Sequence, residues 1–248
     1  MRHLQLSTLV ALATALGGSV ASAAPKATPA GKAATDLEFE PENATAGPPS
    51  KVLERAITLY NNKDFFSASI ELKKVLDGEG NDDAKNKQRA EFFLGKTMYQ
   101  LRFYAASLAA FSKIVQAGDS HTYHAATLKW LASLWRVLPE TSGILTKIGS
   151  YDVAALGDRS LAAVHDELLF LLGRHYYNHG AEGDFDKAIS LFKQVSRDSE
   201  FFVKAKFFEG VTYVRKYEGR PAGEAFKRIL ELAREKPRQY KAAELDRF

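Results

Sequence analysis

From residue 51 onward, apolar side chains recur three and four positions apart, with almost no strand-type alternation. That spacing lines one face of an α-helix. Phe226, Ile229, Leu230 and Ala233 form one such stripe. A longer period lies over this short one. Small residues return in the same helical context at Ala56, Gly95, Ala132, Gly173 and Gly210, at spacings of 39, 37, 41 and 37. Each is followed, three or four residues later, by a large aromatic: Tyr60, Tyr99, Trp135, Tyr176 and Tyr213. A polar or Gly/Pro turn comes next, then a second apolar helix. Three of these second helices share an ending, Phe111-x-Lys113-Ile114-Val115, Phe192-x-Gln194-Val195 and Phe226-x-Arg228-Ile229-Leu230. The small residue lets the second helix approach closely, and the aromatic fills the volume where the pair splays apart. A single hairpin cannot bury its apolar face alone, so consecutive hairpins stack.

At this point the chain resembles the tetratricopeptide repeat family. The resemblance is carried by Leu94-Gly95…Tyr104-x-x-Ser107-Leu108-x-x-Phe111-x-Lys113-Ile114 and by Leu172-Gly173-x-x-Tyr176…Phe185-x-x-Ala188-Ile189-x-x-Phe192. It implies an all-α fold: a right-handed superhelical solenoid of about five antiparallel helix hairpins. The units fall near residues 51–80, 84–118, 122–150, 160–198 and 201–236, with a partial helix at 237–248. Their periods exceed the family's usual length, so loops are lengthened. Unit three departs most from the pattern. Its second half, Pro139 to Ile148, is short, carries Gly143 and lacks the aromatic, which leaves the Gly149–Asp158 connection as the place where the solenoid can bend. The last segment offers Tyr240, Leu245 and Phe248. Either it caps the stack with those residues inward, or the natural chain continues.

Composition adds limits. The 248 residues include no cysteine, which excludes disulfides, thiolate metal sites and a cysteine nucleophile. The net charge is +4, and residues 201–248 carry 12 basic against 7 acidic side chains. Those charges interleave at helical spacing (Lys227, Arg228, Glu231, Arg234, Glu235), as on a solvated helix face, so nucleic acid is not an expected partner. The N-terminus has a short positive start (Arg2, His3), an apolar run from Leu6 to Val20, and Ala21-Ser22-Ala23. This is the layout of a secretory signal peptide, residues 1–23, cleaved after Ala23. The apolar run is too short for a membrane span and contains Gly17-Gly18. The expected location is therefore periplasmic or secreted, with no transmembrane segment in the mature chain and peripheral envelope association open. Residues 24–50, rich in Ala, Pro, Thr, Gly and Lys, read as a flexible leader before a repeat domain at 51–248.

The polar candidates read as structural. His175 and His179 stand four apart with Asp184 and Asp186 behind them, the raw material of a His/carboxylate metal site. However, His175 lies beside Gly173 on the packed side, and His179 ends its helix before Gly180. Asp184 is expected to cap the next helix. The Gly180–Asp184 loop lacks the lysine and the preceding strand of a phosphate loop. Asp77–Asp83 is acidic but has neither the Gly nor the Glu positions of a calcium loop. No metal, cofactor or catalytic set is expected.

What remains is the groove that first helices line in this family. Carrying the repeat phase over places Arg89, Phe92, Lys96 and Tyr99 there from unit two, and Lys129, Ser133 and Arg136 from unit three. Unit four gives Glu167, Phe170, Arg174 and Tyr177, and unit five gives Lys204 and Phe207. Such a surface suits a protein or peptide partner bearing acidic groups, with Arg and Lys for the charges and Phe and Tyr for apolar area. The family's carboxylate-clamp asparagines are absent from the matching positions. On this reading, Arg136→Glu with Arg174→Glu abolishes partner capture and leaves the helical circular dichroism intact. The chain is expected to be a non-enzymatic interaction scaffold or adaptor in the cell envelope. The alternatives are a helical module of an envelope enzyme acting on cell-wall or sugar polymers, and self-assembly through residues 237–248.

Overall fold

The computed structural model describes residues 47–235. The expected signal peptide at 1–23, most of the expected leader at 24–50 and the expected partial helix at 237–248 lie outside the described residues. Within them, ten α-helices follow one another with no strand: α1 (Lys51–Asn61), α2 (Phe65–Leu76), α3 (Ala84–Gln100), α4 (Tyr104–Ala117), α5 (His124–Trp135), α6 (Ile144–Ile148), α7 (His165–His179), α8 (Asp184–Gln194), α9 (Phe202–Arg215) and α10 (Gly219–Glu235). They pair into five antiparallel hairpins, α1/α2 through α9/α10, and each second helix also packs on the next first helix. The odd helices touch one another in series, α1 on α3, α3 on α5, α5 on α7 and α7 on α9, whereas no pair of even helices does so to the same extent. Helices that sit closer form the inner layer of a curved stack, so the odd helices line the inside and the even ones the outside.

Each hairpin closes on the small residue of its first helix. A Cβ built on Gly95 would stand 2.6 Å from Phe111 Cε1, and one on Gly173 would stand 2.5 Å from Phe192 Cε1. Gly210 meets Phe226 more closely still. These are the three phenylalanines of the shared helix ending, so the glycine and the phenylalanine are two halves of one contact. Phe111 and Phe192 are fully buried. Where the small residue is alanine, the position sixteen residues on is Leu72 or Ile148 instead, both fully buried.

Turn chemistry follows the pattern with local changes. Ser50, Asp64 and Asp83 cap α1, α2 and α3 through side-chain oxygens. Asp184 is not the cap of α8: Gly183, at φ 78°, holds that position, and Asp184 opens the helix while accepting from His179 Nδ1 (2.5 Å) and the Ala181 amide (3.1 Å). Its carboxyl is held low chiefly by the His179 hydrogen bond. Unit three is the irregular one. After the five-residue α6, residues 153–157 and 159–164 form two short 3₁₀ turns whose Leu156 and Leu161 are buried against the stack. Tyr151 is buried too, its ring 4.2 Å from that of His124 and its hydroxyl donating to the His124 carbonyl. The end of the leader is pinned rather than loose. Ser50 donates to Asp82 from both its amide (2.9 Å) and its hydroxyl (2.6 Å), and the Gly47 amide donates to Asp83 Oδ2 (2.7 Å).

The hairpin joint gives a direct test. Gly173→Ala gains about 1 kcal/mol in helix propensity, but the added methyl must displace the Phe192 ring, and such overpacking costs about 1–3 kcal/mol. The expected urea-denaturation result is net destabilisation. Gly173→Ala with Phe192→Leu, the pairing used by Ala56 and Leu72, should recover part of the loss. A more stable single variant would show that the joint is not tight.

Candidate functional site

The inner face is built from one stripe per odd helix. On α3, Lys85, Arg89, Phe92, Lys96 and Tyr99 fall within about a quarter-turn of one another at 100° per residue. Leu94 and Met98 point the opposite way, into a shallow apolar cleft of about 440 Å³ shared with Ser69, Ile70, Lys73, Lys74 and Asp77. That cleft belongs to a different surface.

Each residue assigned to the groove can now be placed. Phe92 and Phe170 are corrections, because both are core. Phe92 is 3% exposed, stacked 4.6 Å from the Tyr123 ring at the entry to α5. Phe170 is 1% exposed among Trp135, Phe192, Phe201 and Phe208. The reason is geometric: the position three residues before Gly95 and Gly173 faces the following first helix and its entry, and close odd–odd packing covers it. Lys96 is also withdrawn. It is 8% exposed, with its ammonium 4.4 Å from the Phe93 ring centre, 4.6 Å from Tyr60 and 5.7 Å from Trp130. A desolvated cation among aromatic faces gains about 2 kcal/mol per good contact, so Lys96 holds hairpins one, two and three together.

Half-exposed residues keep a face for a ligand. Arg89 lies over Phe93 at 5.8 Å, and Tyr99 packs edge-on against Tyr104 and Trp130. Burial raises the Tyr99 hydroxyl above its ordinary pKa, so it stays a neutral donor. Lys129 and Ser133 lie one turn apart on α5, the Ser133 hydroxyl donating to the Lys129 carbonyl. Tyr177 contacts Phe208 and is covered by the Arg215 guanidinium at 4.9 Å. Lys204 lies 5.4 Å from the Phe201 ring, and Phe207 sits between Phe208 and Phe226.

The two central arginines both pair with carboxylates, Arg136 with a buried one and Arg174 with an exposed one. Arg136 makes a bidentate pair with Glu167, Nε to Oε1 at 2.8 Å and Nη2 to Oε2 at 2.7 Å, and lies 3.6 Å from Glu200. Glu167 is 2% exposed. Burial pushes its carboxyl up while Arg136 opposes that rise, and the same hydrogen bonds raise the guanidinium. Arg174 donates to Glu140 at 3.0 Å and stacks 4.2 Å above Phe208. The sequence pattern missed Trp130, Phe201, Phe208, Glu140 and Glu200. Phe207-Phe208 was the one local signal, since adjacent aromatics on a helix face 100° apart and only one can follow the inner stripe.

The two histidines of α7 are structural in their contacts. His175 packs on the backbone of Gly149, where a Cβ would collide with its ring, and burial lowers its pKa. His179 ends α7 and bonds Asp184, with Gly180 left-handed beyond it. Among the described residues no helix is long and apolar enough to cross a membrane.

No family model matches the chain, and no curated protein matches it. Solved structures do. YrrB, described as a TPR protein with an unusual peptide-binding site, is 20% identical with a TM-score of 0.50, over 73% of this chain and 84% of that one. A MamA protein is 21% identical at a TM-score of 0.47, over 77% and 94% of the two chains. MamA residues 41 to the end from Desulfovibrio magneticus RS-1 is 18% identical at 0.43, over 74% and 94%.

The Arg136–Glu167 pair predicts a stability effect. Arg136→Ala leaves a buried carboxylate without its partner, a loss of about 3–5 kcal/mol. Arg136→Met with Glu167→Met should regain most of it in thermal melts, and equal melting temperatures for all three chains would show the pair to be idle. For the same reason Arg136→Glu, which crowds Glu167 and Glu200, attacks the fold and cannot serve as a clean binding variant. With five hairpins, an inner layer of first helices and this likeness to YrrB, the chain has the tetratricopeptide-like solenoid fold.

Proposed function

We propose that this chain is a non-enzymatic scaffold that holds a peptide or protein partner along the inner face of its first helices. One observation carries the reading. The half-exposed inner stripe carries cations and aromatic rings over four hairpins: Arg89 and Tyr99, Lys129, Tyr177, then Lys204 and Phe207. An extended chain laid across that stripe meets a ring or a charge about every helix spacing. Rings supply apolar area at low entropic cost, and cations favour acidic side chains in the partner. The peptide-binding site of YrrB, a protein of like fold, supports the assignment. The signal-peptide layout of residues 1–23 supports an exported, envelope-located protein, periplasmic or secreted.

A catalytic reading finds less support. Two carboxylates, Glu167 and Glu200, converge on Arg136, but Arg136 binds both oxygens of Glu167, which makes that residue a buried counter-ion.

The test uses positions that leave the Glu167 and Glu140 pairs intact. Arg89→Glu with Lys129→Glu, introduced into the full chain, should lower crosslinked partner capture in intact cells by tenfold or more. Helical circular dichroism should stay unchanged and the melting temperature should move only a few degrees. Undiminished capture by a folded variant would remove the inner face as the binding surface.

A further inference from the structure

Three first helices end in the same left-handed turn. Lys63, Arg102 and Tyr217 have φ of 63°, 63° and 61°, and the residue after each donates its amide to the carbonyl of Leu59, Met98 or Tyr213. A side chain with a Cβ is disfavoured in that conformation, and glycine is its usual occupant. Hairpin four does use glycine, Gly180 at φ 65°. The helix dipole favours a cation at such a point, yet hairpin five carries Tyr217, so the dipole alone does not set the choice. Because the hairpins are antiparallel and stack in series, these turns lie along one edge. At hairpins one and two that edge is apolar as well as basic. Phe66 is 66% exposed and Phe103 58%. Ile70, one turn after Phe66, is exposed too and shares the outer cleft with Leu94 and Met98, and the Met98 carbonyl holds the Phe103 amide. One apolar strip thus runs from Phe66 to Phe103.

We propose that this corner of hairpins one and two docks peripherally on the surface of an anionic lipid bilayer. Charge complementarity is the first support. Lys63 and Arg102 are exposed beside the strip, and neither pairs with an acid among the described residues. The acids nearby are engaged: Asp64 caps α2, and Glu71 and Asp77 pair with Lys74 and Lys73. Residues 92–118 contain no acid at all. Cations in that state are drawn to acidic headgroups, an attraction that needs no matching shape. The form of the apolar surface is the second support. Phe66 and Phe103 project from the ends of two neighbouring turns, and the cleft between them is shallow. A folded partner needs a complementary relief, whereas a fluid interface admits separate tips and retains apolar side chains that have cations beside them. The contact is peripheral because no helix among the described residues is long and apolar enough to cross a membrane.

The chain has no cysteine, so Phe103→Cys in the full chain carries a single environment-sensitive nitrobenzoxadiazole label. It is titrated with vesicles of equal parts phosphatidylglycerol and phosphatidylcholine, and with vesicles of phosphatidylcholine alone. The expected result is a brighter, blue-shifted label on the anionic vesicles, at an affinity at least tenfold above that for neutral ones and weakened by high salt. The same label at Glu224→Cys, exposed on α10, should not respond. Phe66→Ser with Ile70→Ser should lower the affinity at least tenfold. Lys63→Gly with Arg102→Gly should do the same without lowering the melting temperature, because glycine relaxes both turns. If the two cations served the fold alone, glycine would leave the lipid response unchanged. No response to anionic vesicles, an equal response to neutral ones, or a response that survives both paired variants would each overturn the proposal. A label shift that grows with protein concentration in the absence of lipid would also overturn it, by giving the strip to a second copy of the chain. So would a shift with soluble polyglutamate and none with vesicles, which would give the strip to an acidic protein. The corner lies apart from the inner stripe, so Arg89→Glu with Lys129→Glu should leave the lipid response intact while partner capture falls. Loss of the lipid response in that variant would move the lipid to the inner face and sink the assignment.

Discussion

The close approach of two helices at one point in each hairpin sets the geometry of everything else. At Gly95, Gly173 and Gly210 the backbone of the first helix lies in contact with the edge of a phenylalanine ring from the second. This contact fixes the distance and the angle within the pair, and stacking then repeats that angle along the chain. Because the joint sits between a first and a second helix, each second helix is held on the outside and the first helices are drawn together. The continuous inner face is a consequence of that arrangement. In hairpins one and three the small residue is Ala56 or Ala132, and the position sixteen residues on holds the buried Leu72 or Ile148.

The inner face is less basic than its cations suggest. Arg136 neutralises Glu167, Arg174 neutralises Glu140 while covering Phe208, and Lys96 is enclosed by rings. These three side chains stitch neighbouring hairpins together. Arg136 and Lys96 are costly to pull away because Glu167 and the ring cage are desolvated, whereas Arg174 meets a solvent-exposed Glu140 and rests on the Phe208 stack. A ligand therefore meets a surface whose centre is committed to structure. Under the proposed function, ligand contact falls to the half-exposed flanking residues Arg89, Lys129, Lys204, Tyr99, Tyr177 and Phe207. Electrostatic attraction there acts mainly on partner choice and association rate.

The solenoid was legible in the sequence because repeat packing is local. A small residue, an aromatic three or four positions on, and a phenylalanine at the end of the next helix are all parts of one hairpin, so their spacing in the chain is their spacing in space. The short second half of unit three was visible for the same reason, whereas the two 3₁₀ turns that follow α6 and bury Leu156 and Leu161 were not. The site was legible only in phase. Repeat register put Arg89, Tyr99, Lys129, Tyr177 and Lys204 on the inner stripe, but it also put Phe92 and Phe170 there. It could not register that Tyr123, Phe201 and Phe208, from the adjoining unit, would close over them.

Composition and period by themselves determined that this chain is a stack of about five helical hairpins with first and second helices in fixed roles. Those properties depend on contacts within about twenty residues, inside one unit, such as Gly95 with Phe111 and Gly173 with Phe192. Tertiary structure alone decided which inner-stripe side chains remain available. Arg136 finds Glu167 and Arg174 finds Glu140 across hairpin boundaries, and charge pairing over such distances leaves no periodic mark in the sequence.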